Sequence, residues 1–137
     1  MLPPPIRYPR DPTTPVSHLP FSPSVVVGGL VFVSGQASVD PTGTIVADSF
    51  EGEFRRSIDN LARILAAAGS DLRHVVQTRN YVRDAADLPL YNKLYAEAFA
   101  APYPARTTIV DCLPRDLRYE IEAVAVVCYP PLGCVAG

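Results

Sequence analysis

Residues that could carry chemistry are concentrated near the end of the 137-residue chain. Arg106 begins an apolar, β-branched run, and its planar guanidinium is suited to holding a carboxylate through two hydrogen bonds. Glu120 and Glu122 open the next apolar run two residues apart, so on a strand their side chains leave the same face. A carboxylate that faces a core is costly unless it is paired. An arginine and a carboxylate at neighbouring strand ends would form a site for a charged substrate, while surface or structural roles for them stay open here.

Ser34-Gly35-Gln36 ends an earlier apolar run, where a strand passes into a loop. A hydroxyl and backbone N–H groups in that setting can hold a carboxylate or a carbonyl oxygen, although turn formation alone also explains the pattern. The flanking glycines of a nucleophile elbow are missing, which disfavours a serine hydrolase. Tyr103 is close enough in sequence to Arg106 to line a site around it. Tyr91 and Tyr95 are interpreted as core or interface residues.

The composition is that of an ordinary globular protein. The net charge is −2, and no run of Lys or Arg exceeds two residues, so nothing favours a nucleic-acid partner. No apolar segment approaches the roughly 18–20 residues of a membrane span, and the start lacks the features of a signal peptide. The three cysteines have no ligand spacing, and the two histidines lie far apart. We therefore expect reduced thiols, no metal site and a cytoplasmic location.

The distribution of prolines divides the chain into three parts. Residues 1–20 predict an extended arm, 21–130 a single domain and 131–137 a short tail. In the domain, Gly28-Gly29 predicts a hairpin turn between two apolar runs. Helical spacing of apolar residues predicts one helix from about Ser49 to Gly69 and a second from about Asp87.

Further strands are expected at about 44–46, 75–82, 107–110 and 118–129. The resulting order, ββ(β)-α-β-α-β-β, predicts an α+β sandwich with two helices against one mixed sheet. The last strand is apolar on both faces, and a strand of that kind is normally buried on both sides. We therefore expect a partner subunit over the open face of the sheet.

Several segments, taken in order, resemble the RidA (YjgF/YER057c/L-PSP) family. They are Val33-Ser34-Gly35-Gln36, the helix that begins Phe54-Arg55-Arg56-Ser57, Tyr91-Asn92, Pro104-Ala105-Arg106 followed by Leu113-Pro114, and Glu120-Ile121-Glu122-Ala123. Each segment alone is a weak signal, but the ordered set is specific. The resemblance runs from about Phe21 to Val127, which is most of the chain.

The resemblance implies a chorismate-mutase-like α+β fold, assembled as a homotrimeric barrel with clefts between subunits. It implies hydrolysis of reactive enamine and imine carboxylates, such as 2-aminoacrylate, to 2-oxo acids and ammonia without a metal or an organic cofactor. In that scheme Arg106 binds the substrate carboxylate, and Glu120 orients the attacking water and assists proton transfer. Ser34 and the Gly35 backbone help to position the substrate.

Three departures from RidA proper indicate a divergent member. Phe21 stands where a tyrosine is usual, Thr107 stands where a cysteine often follows the arginine, and the spacing from Arg106 to Leu113-Pro114 is one residue shorter. Phe21 and Thr107 are still expected to line the substrate site, but the substrate itself is left open. Aminomuconate-type deaminases share the pattern and are one alternative. A non-catalytic trimer that binds a small carboxylate or a client protein is the other.

Overall fold

The computed structural model describes residues 2–128. Its main elements follow in the order β1 (Ser24–Val27), β2 (Leu30–Ala37), α1 (Phe50–Ala67), β3 (Val75–Val82), α2 (Leu88–Ala98), β4 (Ala105–Val110) and β5 (Tyr119–Val126). The strands form one sheet in the order β1-β2-β5-β3-β4, in which β3 and β4 are parallel and the other pairs antiparallel. The expected α+β architecture is confirmed.

Helix α1 forms where the apolar period predicts it. Ser49 caps its start, since the Ser49 hydroxyl accepts a hydrogen bond from the Gly52 N–H at 3.1 Å. Glu51 and Glu53 in the first turn complement the helix dipole. The predicted apolar stripe is buried in the core: Phe54, Ile58, Leu61 and Leu65. It packs on β2 and β5.

Helix α2 begins after Asp87 with a proline in its first turn, as expected. It buries Tyr91, Leu94 and Tyr95. The hydroxyl of Tyr95 reaches Thr78 on β3, and that of Tyr91 reaches Thr108 on β4. Helix α2 therefore lies over β3 and β4, on the same face of the sheet as α1.

Two sequence expectations about strands are wrong in detail. The short strand at 44–46 does not form, because Ile45 makes only an isolated bridge with Val39. In β3, strict alternation predicts that Val76, Thr78, Asn80 and Val82 share one face. Thr78, Asn80 and Val82 do point toward the helices, but Val76 is 47% exposed. The pairing with β5 shifts register between Val75 and Gln77, and that irregularity turns Val76 away from the core.

The N-terminal arm has no helix or strand in residues 2–23. It is tied to the sheet at Arg7, whose backbone makes two hydrogen bonds of 2.9 Å with Val26. These bonds cover part of the free edge of β1, which would otherwise present unpaired backbone groups. The predicted tail, 131–137, lies outside the described residues.

The cysteines differ from the expectation of reduced thiols. Cys112 is a free, exposed cysteine, whereas Cys128 is disulfide-bonded, so the expectation is wrong for Cys128. Cys134 lies outside the described residues. None of the helices in the described part of the chain has the length and hydropathy needed to cross a bilayer.

The sheet face away from the helices is largely uncovered in a single chain. Four apolar side chains on it are each more than a third exposed: Leu30, Phe32, Ile109 and Val126. They alternate with residues that face the helices, such as Val31 and Ala125, which are fully buried. We call this surface the open face.

Candidate functional site

Arg106 is the second residue of β4 and projects toward helix α2. Its guanidinium carbon lies 4.9 Å from the ring centroid of Tyr91 and 4.9 Å from that of Tyr95. Both distances are within the range of a cation–π contact. Within residues 2–128 no carboxylate forms an ion pair with Arg106. No carboxylate of the described chain therefore neutralises the Arg106 charge, which suits it to an anionic ligand.

A cleft of about 330 Å³ opens beside this guanidinium. It is lined by Asn92, Tyr95, Ala96, Tyr103, Pro104 and Arg106. Tyr103 is 54% exposed, so its ring forms a wall of the cleft and is not part of the core. The sequence named Asn92 only as part of the Tyr91-Asn92 segment and gave it no role in a site, although its place on α2 brings it to this cleft.

Glu120 lies on β5 with its side chain on the open face, since its neighbours Tyr119 and Ile121 are fully buried on the helix side. In the described chain its carboxylate has neither a hydrogen bond nor an ion pair. Burial raises the pKa of the Glu120 carboxyl, and the nearby charge of Glu122 raises it further. A carboxyl whose pKa is raised holds its proton more readily than an ordinary one, which suits it to proton transfer.

Gly35 makes room for the Glu120 carboxylate. A Cβ added at Gly35 would run into Glu120 Oε1. The pairing of β2 with β5 shifts register between Val33 and Gln36, which places Gly35 in a bulge. Bulges commonly re-aim groups next to functional sites, and here the bulge lets a carboxylate lie against backbone.

Ser34 occupies the same bulge. Its hydroxyl donates a hydrogen bond to the Ser22 carbonyl at 2.6 Å, and its N–H donates to the Pro23 carbonyl at 3.0 Å. Ser34 therefore ties Ser22 and Pro23, which directly follow Phe21, to the bulge. Phe21 is 45% exposed and lines a cavity of about 230 Å³ under the arm.

Glu122 differs from Glu120 in having partners. The Tyr81 hydroxyl donates a hydrogen bond to Glu122 Oε1, and Arg79 lies 3.6 Å from the same oxygen. This short contact and the Glu122 charge raise the pKa of Tyr81. Of the two carboxylates, Glu122 is therefore the one that other side chains of the described chain hold, and those side chains are Arg79 and Tyr81.

Arg106 and Glu120 do not meet within one chain. Strand β3 separates β4 from β5 in the sheet, so the expectation of neighbouring strand ends is wrong. The Arg106 side chain lies on the helix side, and the Glu120 side chain lies on the open face. Alternation along β4 also places Thr107 on the face opposite Arg106.

One other group of potential ligands carries no site. Side-chain atoms of Asp71, His74 and Cys128 lie within 4.8 Å of one another. The His74 Nδ1 atom is 2.7 Å from Asp71 Oδ1, which already pairs these two residues. Because Cys128 is disulfide-bonded, its sulfur is not a thiolate ligand. We assign no metal to this group.

Comparison with known proteins gives consistent results. The family model described as "Endoribonuclease L-PSP" matches residues 12–127. A RutC family protein of Pyrococcus abyssi is 39% identical over 108 residues, which are 77% of this chain and 85% of that protein. The human 2-iminobutanoate/2-iminopropanoate deaminase is 37% identical over 109 residues, 78% of this chain and 80% of its own length. The crystal structure of the E. coli YjgF gene product has a TM-score of 0.77 at 33% identity, and the match covers 88% of this chain and 98% of that one.

Fold and site define a small α+β protein with a cleft built around an arginine that lacks a carboxylate partner in the described chain. The chain belongs to the RidA (YjgF/YER057c/L-PSP) family, as the ordered motifs predicted. Relatives that match most of this chain bear the names 2-iminobutanoate/2-iminopropanoate deaminase and Reactive Intermediate Deaminase A. Deamination of reactive intermediates is thus an activity found in its family.

Proposed function

We propose that this protein hydrolyses reactive enamine and imine carboxylates to 2-oxo acids and ammonia. Water adds to the imine carbon, the carbon–nitrogen bond then breaks, and the nitrogen leaves as ammonia. An enamine substrate first takes a proton on carbon to become the imine. The imine carbon is already electrophilic, so orientation and proton transfer are the main demands on the protein. No cofactor is required by this chemistry.

The observation that carries the proposal is the pair of uncompensated charges. Arg106 has no carboxylate partner in the described chain, and its forked donors suit the substrate carboxylate. Glu120 likewise has no partner there, and its raised pKa suits it to orient the water and to move protons between oxygen and nitrogen.

The other predicted site residues would position the Glu120 carboxylate or line the substrate site. The Gly35 backbone borders the Glu120 carboxylate, and Ser34 fixes the bulge that carries it. Tyr103 would line the carboxylate end of the substrate site. Phe21 and Thr107 would line its other walls.

The active unit in this proposal is a homotrimer with clefts between subunits. Two observations support it: Arg106 and Glu120 are turned away from each other within one chain, and the open face exposes apolar side chains. A second copy that covers the open face would exclude water from it. It would also bring Arg106 of one copy close to Glu120 of another copy. A cytoplasmic location stays a prediction.

The direct test uses 2-iminopropanoate generated in the assay by an amino-acid oxidase acting on alanine. The wild-type protein is expected to accelerate ammonia release, and Arg106→Ala is expected to lower kcat/KM by about 100-fold or more, since a charge-assisted bidentate contact is lost. Arg63→Ala, an exposed arginine on α1, is the matched control. Equal turnover by wild type and Arg106→Ala would refute the site assignment.

The same assay separates the two alternatives. Turnover of a 2-aminomuconate-type substrate in preference to 2-iminopropanoate would indicate an aminomuconate-type deaminase. Saturable binding of 2-oxobutanoate with no turnover of either substrate would indicate a binding module. The net charge of −2 gives no support to RNA cleavage, despite the description of the family model.

A further inference from the structure

Two tyrosines on α2 form an angled wall around the Arg106 guanidinium. The ring planes of Tyr91 and Tyr95 make an angle of 62°, and their centroids are 5.9 Å apart. Because Arg106 Cζ lies 4.9 Å from each centroid, the guanidinium sits in the corner between the rings. A long arginine side chain on an exposed edge strand normally samples many rotamers, and contact with two rings restricts that freedom.

The Tyr95 ring is itself fixed by a buried chain of hydrogen bonds. Its hydroxyl lies 2.7 Å from Thr78 Oγ1, and Asn80 Nδ2 donates to the same oxygen at 3.0 Å. The Tyr119 hydroxyl in turn donates to Asn80 Oδ1 at 2.6 Å. Thr78, Asn80 and Tyr119 are all at most 1% exposed. A fully satisfied buried network of this kind is rigid.

The Tyr91 ring is held in a second, separate way. Its hydroxyl lies 2.7 Å from Thr108 Oγ1 on β4, two residues beyond Arg106. The strand that carries the arginine is therefore bonded to one of the rings that hold its side chain. Burial raises the pKa of both Tyr91 and Tyr95, so both rings stay neutral and act through their faces, not as anions.

We propose that Tyr91 and Tyr95 are positioning residues for Arg106: they hold its guanidinium so that its donors face the cleft lined by Asn92 and Tyr103. This inference rests on the proposed function, since it concerns the arginine that would bind the substrate carboxylate. It assigns these buried tyrosines a role beyond core packing. The role is in binding, because an oriented arginine loses less rotamer freedom when a carboxylate arrives.

The test measures binding of 2-oxobutanoate, the product-like carboxylate, and turnover of 2-iminopropanoate for Tyr95→Leu. We expect the Kd and the KM to rise by about 3- to 10-fold while kcat changes by less than about twofold. In an Arg106→Ala background, Tyr95→Leu is expected to add no further weakening, because the group it positions is gone. A purely structural role would add the same loss in both backgrounds.

Ile58→Val is the control for lost stability. Ile58 is a buried residue of α1, and this change costs about 1 kcal/mol in typical cores. It is expected to lower the Tm without changing the Kd. If Tyr95→Leu does not fold, Tyr91→Leu is measured in the same way.

The outcomes separate the inference from the proposed function. If wild type binds 2-oxobutanoate and turns over the imine, and the tyrosine variants bind equally well, the positioning role is wrong and the function stands. If wild type neither binds nor turns over these compounds, the proposed function is wrong and the inference falls with it.

Discussion

The guanidinium of Arg106 and the carboxylate of Glu120 lie on opposite faces of one sheet, on strands separated by β3. Neither charge is paired within the described chain. A single chain therefore presents two half-sites: a cleft with an arginine on the helix side, and a carboxylate against a backbone bulge on the open face.

Gly35→Ala is expected to displace the Glu120 carboxylate. The new Cβ would clash with Glu120 Oε1, and the flexible end of Glu120 would have to move away. We expect a folded protein with kcat/KM for 2-iminopropanoate lowered by about 10-fold or more, because catalysis is sensitive to a misplacement of about 1 Å. Gly28→Asn is the matched control. Gly28 has φ +57° with open space around it, and asparagine tolerates that conformation. Undiminished kcat/KM in Gly35→Ala would argue against the assigned role of Gly35.

Glu120→Gln is expected to lower the activity and to raise the thermal stability at alkaline pH. The folded state raises the pKa of Glu120, so its contribution to stability is fully present below the unfolded pKa and is lost as pH rises through the folded pKa. Glutamine carries no charge to desolvate. The variant should therefore have a Tm higher than wild type by roughly 1–3 °C at about pH 8, with a smaller difference near pH 4. Its kcat/KM should fall by about 100-fold or more.

Thermal unfolding at matched protein concentration, followed at both pH values, checks the stability of Glu120→Gln. A Tm below that of wild type at the higher pH would mean that the ionised carboxylate is favourably paired in the assembled protein. That result would contradict the assignment of Glu120 as an uncompensated charge.

Glu122→Gln is expected to shift the pH dependence of activity. The charge of Glu122 contributes to the raised pKa of Glu120, so its removal lowers that pKa. If ionised Glu120 orients the water, the acidic limb of kcat/KM against pH should move to lower pH. Tyr81→Phe is the control, because it removes a hydrogen bond to Glu122 but leaves the charge. A limb that stays in place in Glu122→Gln would show that another group controls it.

Features set by local periodicity were predictable from the sequence. The apolar stripe from Phe54 to Leu65 correctly predicted helix α1, and Ser49 caps it as the sequence indicated. The predicted strand 75–82 has the bounds of β3. Residue type and spacing singled out Arg106, Glu120 and Glu122, and the resemblance assigned the working roles to Arg106 and Glu120. Those roles remain predictions.

Features that depend on pairing between distant segments were not predictable. Chain order predicts adjacent strands for Arg106 and Glu120, since β4 and β5 follow each other, but β3 pairs between them. The clearance at Gly35 is set by a carboxylate from another strand. Tyr91 and Tyr95 have the spacing of core residues, and the sequence does not show that an arginine from β4 lies over their rings.

In the proposed homotrimer, each working site joins Arg106 of one subunit to Glu120 of another. The most direct measurement mixes two variants, Arg106→Ala and Glu120→Gln, that are each expected to be inactive. The mixture is dissociated and reassembled, mixed oligomers are verified by native mass spectrometry, and imine turnover is assayed. In a random 1:1 mixture about a quarter of the sites combine an intact Arg106 with an intact Glu120, so about a quarter of wild-type activity should return. If mixed oligomers have no more activity than the separate variants, the working site does not combine Arg106 of one subunit with Glu120 of another.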